Sequence, residues 1–173
     1  MRGHNEEALA LHQEALGIRR VLLGPAHEDI ANSLNNIAAI HYSTGNLETA
    51  EAMFRESLEM DRELRGDLHP NVAMTMNNLA MIVSELGRME EAKPVHRRAL
   101  ELEREIYGAD HPKLALSLQN LARTLVDTGE MEEAEPLFVE ALDITRRARG
   151  EGHPGVASVL SNFAFSRSWP ETA

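Results

Sequence analysis

The stretch HPNVAMTMNNLAMIVSELGRMEEA, residues 69–92, recurs in register as HEDIANSLNNIAAIHYSTGNLETA at 27–50 and as HPKLALSLQNLARTLVDTGEMEEA at 111–134. The interval is 42 residues each time, and no gap is needed to align the copies. Single columns keep that interval along the chain: Gly3, Gly45, Gly87 and Gly129; Leu16, Leu58, Leu100 and Leu142; His27, His69, His111 and His153. A fixed period of this size marks an array of identical supersecondary units, each too small to bury its own apolar face.

Within residues 29–70, Ile30, Leu34, Ile37, Ala38 and His41 follow the i, i+3, i+4 spacing of an amphipathic helix, termed helix A. Gly45 stands just past its end, where a residue without Cβ enters the left-handed region freely. Ala50, Phe54, Ser57, Leu58, Asp61 and Leu64 then mark the stripe of a longer helix B. Gly66-Asp67-Leu68-His69-Pro70 closes the unit and puts Pro at the first position of the next helix, where its missing N–H is harmless. Each unit is therefore a helical hairpin, with Ala38 facing Ala50 at a small-residue seam. Stacked hairpins give an all-α fold, a right-handed α–α superhelix of antiparallel helix pairs with a concave and a convex face.

The same register divides the chain into repeats at 29–70, 71–112 and 113–154, flanked by a half-repeat at 3–28 that supplies only a helix B, and a degenerate half-repeat and tail at 155–173. In the last segment Arg167 falls on a core column, and Ser168-Trp169-Pro170-Glu171 stands where the closing turn belongs. Half-repeats at both ends are expected of a piece of a longer array, or of ends that pair with another chain.

Composition narrows function. The 173 residues carry a formal charge of −11, which repels a phosphate backbone, so nucleic acid is not an expected partner. There is no cysteine, which excludes disulfides, thiolate metal sites and Cys nucleophiles. The N-terminal residues lack an apolar signal region, and no apolar run is long enough to span a bilayer, so a soluble cytoplasmic chain is expected. Phosphate-binding, dinucleotide-binding, metalloprotease and nucleophile-elbow motifs are missing, and no enzymatic activity or cofactor is expected. The His column does not make a metal site, because its members occupy separate loops and cannot converge on one ion. Glu130, Glu132, Glu133 and Glu135 form a solvated first turn of a helix B, favoured by the helix dipole.

Leu79-Ala80, Gly87-Arg88-Met89-Glu90-Glu91-Ala92 and Ala99-Leu100 resemble the tetratricopeptide repeat signature of small, Gly and Ala positions. The usual repeat has ~34 residues. The longer period here, the Asn-Asn-Leu-Ala block and the Gly-x-x-His-Pro turns resemble the kinesin light chain subclass, which also occurs in bacterial repeat proteins and in signalling proteins that append such arrays to kinase or ATPase domains. His41, where that pattern has a large apolar residue, and His27-Glu28 in place of His-Pro depart from it. The resemblance implies a non-catalytic protein–protein interaction scaffold whose concave groove holds a peptide segment of a partner. Self-association through the unpaired half-repeats, or a sensory or regulatory role within a larger signalling protein, is the alternative.

The face of helix A opposite its core stripe is the expected groove, since 100° per residue carries Asn36 to the far side from Leu34. Asn32, Ala39 and Ser43 share that side, as do Met74, Asn78, Met81 and Glu85, then Leu116, Asn120, Arg123 and Asp127, then Ser158, Asn162 and Phe165. Apolar residues on a wet face call for a reason. The candidate peptide-binding residues are Asn32, Asn36, Asn78, Asn120, Asn162, Met74, Met81, Leu116 and Arg123: Met and Leu supply adaptable apolar contact, and the Asn ladder pairs with an extended backbone. The competing expectation is that these Asn side chains bond across the repeats. A second polar column, Arg20, Arg62, Arg104 and Arg146, runs along helix B and is expected to form a solvated face.

Overall fold

The computed structural model describes residues 2–167, which form eight α-helices and no strand. They are α1 (Arg2–Leu23), α2 (Glu28–Ser43), α3 (Leu47–Arg65), α4 (Pro70–Glu85), α5 (Met89–Tyr107), α6 (Leu114–Asp127), α7 (Met131–Arg149) and α8 (Pro154–Arg167). Even-numbered helices carry the helix A columns and odd-numbered ones the helix B columns. The segment Ser168-Trp169-Pro170-Glu171 lies outside the described residues, and so does any structural account of the closing turn there.

Each helix packs on its neighbours in sequence, and α4 also touches α6, as α6 touches α8. Short connections make the neighbours antiparallel, and the result is a stack two helices deep with a continuous core. The small-residue seam is closed: Ala38 and Ala50, Ala80 and Ala92, and Ala122 and Ala134 are all fully buried. Phe54, Val72, Leu102, Leu118, Phe138 and Ile144 fill the spaces between hairpins. Leu64, expected on the buried stripe, is 42% exposed. The last turn of α3 is held through Arg65, which reaches Glu28 on α2 at 2.9 Å and Asp61 at 3.0 Å, and Leu64 faces solvent beside it.

The His column has a local job. Nδ1 of His27, His69, His111 and His153 accepts a hydrogen bond from the backbone N–H two residues on, at Asp29, Asn71, Lys113 and Gly155, over 2.9–3.2 Å. Imidazole thus takes the place that Ser or Asp usually fills at a helix N-terminus, satisfying one of the orphan amide donors. One irregularity breaks the series. Helix α6 starts at Leu114, two residues beyond Pro112, after a turn in which His111 N–H donates to the Gly108 carbonyl and Leu114 N–H to that of His111.

Candidate functional site

Helices α2, α4, α6 and α8 turn one stripe toward solvent. On α4 and α6 it carries large apolar side chains: Met74 is 48% exposed and Leu116 is 65% exposed, while Met81 is half-buried. Asn78 and Asn120 sit beside them, half-buried, and their side-chain amides make no hydrogen bond among the described residues. Asn36 on α2 is exposed and likewise unbonded. The outer members behave differently. Asn32 Oδ1 accepts from Asn71 Nδ2 at 3.4 Å, and Asn162 Nδ2 donates to Gln119 Oε1 at 3.1 Å, both across neighbouring repeats. Inter-repeat bonding therefore claims Asn32 and Asn162 and leaves the amides of Asn36, Asn78 and Asn120 open.

Cross-repeat bonding is mostly the work of the preceding Asn in each Asn-Asn pair. Asn35 is buried, donates from Nδ2 to Ser57 Oγ at 2.5 Å and accepts from Thr75 Oγ1 at 3.1 Å. Asn77 is its equivalent one repeat on. It donates to Glu103 Oε1 at 3.2 Å and to Ser117 Oγ, and its Oδ1 lies 3.1 Å from His96 Nδ1. A buried amide needs such partners. These bonds fix consecutive helices A against the helices B behind them and hold the exposed stripe in line.

The electrostatics of the stripe change toward the C-terminal ends of the helices. Tyr42 Oη–H donates to Glu85 Oε1 at 2.7 Å, and this bond, with burial, raises the Tyr42 pKa. Burial raises the Asp127 pKa, and the neighbouring Arg123 opposes the rise. Arg123 is exposed and makes no ion pair among the described residues. It borders a cavity of about 90 Å³ between α6, α7 and α8, floored by Phe138 and Val126 and edged by Asp127, Gln119 and Asn162. The site thus combines apolar surface, open amide groups and one unpaired cation.

The Arg column of helices B lies away from this stripe and is engaged in ion pairs. Arg20 reaches Glu56 at 2.5 Å, Arg62 reaches Asp67 at 3.0 Å, Arg104 reaches Glu140 at 2.6 Å and Arg146 reaches Glu151 at 3.1 Å. No group of three or more His, Asp or Glu side chains is placed to hold a metal ion among the described residues. No described helix is long and apolar enough to cross a membrane.

The tetratricopeptide repeat family model matches residues 1–63, 30–102, 71–140 and 120–166. Among solved structures, BtubC (BKLC) from P. vanneervenii is similar over 95% of this chain and 66% of its own, at 24% identity and a TM-score of 0.84. A putative kinesin light chain from P. anserina with nearly identical tetratricopeptide-like repeats is similar over 95% of this chain and 78% of its own, at 19% identity and a TM-score of 0.80. A substituted form of that same protein gives a TM-score of 0.81, again at 19% identity. At such identities the likeness is one of fold, the right-handed superhelix of antiparallel helix pairs. This chain spans 66% of the length of BtubC. No curated protein matches the sequence.

Proposed function

The chain belongs to the tetratricopeptide repeat family, whose repeats generally mediate protein–protein interaction, and we propose that its exposed helix A stripe is a groove that binds a peptide segment of a partner protein. One observation carries the reading: Met74 and Leu116 stay 48% and 65% exposed beside Asn78 and Asn120, whose amides no other described side chain or backbone group uses. An apolar patch next to unused donors and acceptors suits an extended ligand, whose backbone pairs with the amides while its side chains cover the Met and Leu. Arg123 and the cavity beside it add a charged and an apolar contact at one end, and Asn32, Asn36, Met81 and Asn162 extend the surface to either side. The chain acts as a scaffold, with no catalysis of its own. A cytoplasmic setting fits a sequence without cysteine.

A peptide-display library selected on the wild-type protein supplies ligands for titration by fluorescence anisotropy. The Asn78→Ala/Asn120→Ala double variant should weaken the selected peptides by about tenfold or more, the loss of one to two net hydrogen bonds. Leu116→Asp should do so by a similar factor. Unchanged affinities in both variants would place the ligand elsewhere and end this reading.

A further inference from the structure

The groove stripe repeats along the array at an interval that a ligand has to match. Met74 and Leu116 occupy one column, Asn78 and Asn120 a second, and Glu85 and Asp127 a third, each pair on the successive helices α4 and α6. These two helices touch, so their axes lie about 8–10 Å apart, and every column recurs at about that step. A bound segment therefore meets one exposed apolar side chain and one open amide per step.

Three backbone conformations differ in how they fit this interval. In a β-strand, residues on one face stand two or four positions apart, about 7 or 14 Å, and neither distance fits. An α-helix places positions i and i+7 about 10 Å apart, which fits, but its backbone groups are bonded within the helix. Asn78 and Asn120, whose amides no described group uses, would then face a ligand backbone with nothing to offer them. A polyproline II segment turns once in three residues over about 9 Å and bonds none of its own N–H and C=O groups. It meets both conditions: side chains i and i+3 come down on successive helices, and carbonyls between them accept from the Asn Nδ2 groups.

The threefold turn also sorts the other side chains of such a ligand. One phase faces the floor, and a second faces the rim made by Glu85 and Asp127, the last residues of α4 and α6. Among the described residues Glu85 bonds only the neutral hydroxyl of Tyr42, at 2.7 Å, and Asp127 makes no hydrogen bond or ion pair. Arg123 stands in their midst and acts on both Tyr42 and Asp127. One guanidinium thus faces two carboxylates, at helix C-termini whose dipoles are negative as well. At the opposite rim the Lys113 ammonium is taken up over the Tyr107 ring, 4.5 Å from its centroid. The charge left for a ligand to answer is negative.

Resting on the groove reading, we propose that the partner segment is a polyproline II stretch with apolar residues three positions apart, seated on Met74 and Leu116, and with Lys or Arg in the phase that faces Glu85 and Asp127. The peptides selected on the wild-type chain test it. Their apolar anchors should stand three positions apart, and Pro substituted between the anchors should leave affinity within about twofold. Glu in place of the rim-facing Lys or Arg should weaken binding by about fivefold. Glu85→Lys alters an exposed residue and should reverse that preference, with the fold checked by circular dichroism. Anchors two, four or seven positions apart, a loss of about tenfold or more on substituting Pro, or acidic selected peptides that weaken in Arg123→Gln overturn the proposal. Peptides of those kinds would still lose affinity in the Asn78→Ala/Asn120→Ala variant, whereas unchanged affinity in that variant overturns the groove reading itself.

Discussion

At the scale of single residues, His96 is the position where chemistry departs most from the repeat. Its column holds Phe at 54 and 138, yet the imidazole is 1% exposed and bonded to Asn77. Burial, with a smaller contribution from Arg123, lowers its pKa from 6.5 to about 4. Between those values the unfolded chain binds a proton that the folded chain does not. Stability is therefore fully present above 6.5 and declines as pH falls toward 4. The loss from about pH 7 to about pH 5 amounts to about 2 kcal/mol from this ring. Glu103 works against it: burial raises its pKa, so acidification relieves a buried charge and stabilises the fold. The net slope of the wild type mixes both, and His96→Phe separates them. That variant keeps an aromatic ring in the column, and it leaves Asn77 short of a partner at a cost that does not change with pH. Urea unfolding at the two pH values should show a drop smaller than that of the wild type by about 2 kcal/mol. An equal drop in both proteins would mean that the ring is not the titrating group.

At the scale of the helix and its turns, two glycine columns close two kinds of corner. Gly87 ends α4 at φ 79°, with its N–H donating to Ser84 at 2.8 Å and Arg88 N–H to Val83 at 3.0 Å, the crossed pair that caps helix C-termini. Gly108 ends α5 at φ 85° and ψ 161°, a region that only glycine occupies readily. Neither position has an atom within 4 Å of an added Cβ, so any penalty comes from the backbone itself. Gly87→Ala should cost about 1 kcal/mol, and Gly108→Ala about 2 to 3 kcal/mol. Guanidinium unfolding checks the order; a Gly108→Ala variant no less stable than Gly87→Ala would contradict the assigned turn geometry. The sequence shows both glycines as punctuation because residue type and spacing are local information, but it does not distinguish their conformations. The same limit explains what was hidden in the site. The sequence shows Asn35 and Asn77 only as the first members of Asn-Asn pairs, and their burial comes from the packed helices. Their partners Ser57, Thr75, Glu103 and Ser117 stand 22 to 40 residues away and become visible only when helices are packed. By contrast, Met74 and Leu116 stand out in the sequence as apolar residues on a polar face, and that contrast survives folding.

At the scale of the whole molecule, stability is a sum over neighbours. Ion pairs bridge consecutive helices B along the outer layer: Arg55 to Glu91 at 2.9 Å, Arg88 to Glu51 at 2.9 Å and Arg97 to Glu133 at 2.8 Å. These pairs are largely exposed, and each contributes no more than about 1 kcal/mol. Most of the cohesion lies in the apolar contacts between hairpins, and these are unequal. Helices α2 to α7 are flanked on both sides by packed helices, whereas α1 and α8 each leave one apolar stripe that no described helix covers. In a one-dimensional array an end unit has a single packed neighbour, so it opens at a lower free energy than a central one. Hydrogen exchange should therefore be slowest for amides of α4 and α5 and faster by roughly tenfold or more in α1 and α8. Exchange that is uniform along the monomer would mean that the array unfolds as one cooperative block, with its outer stripes irrelevant to local stability.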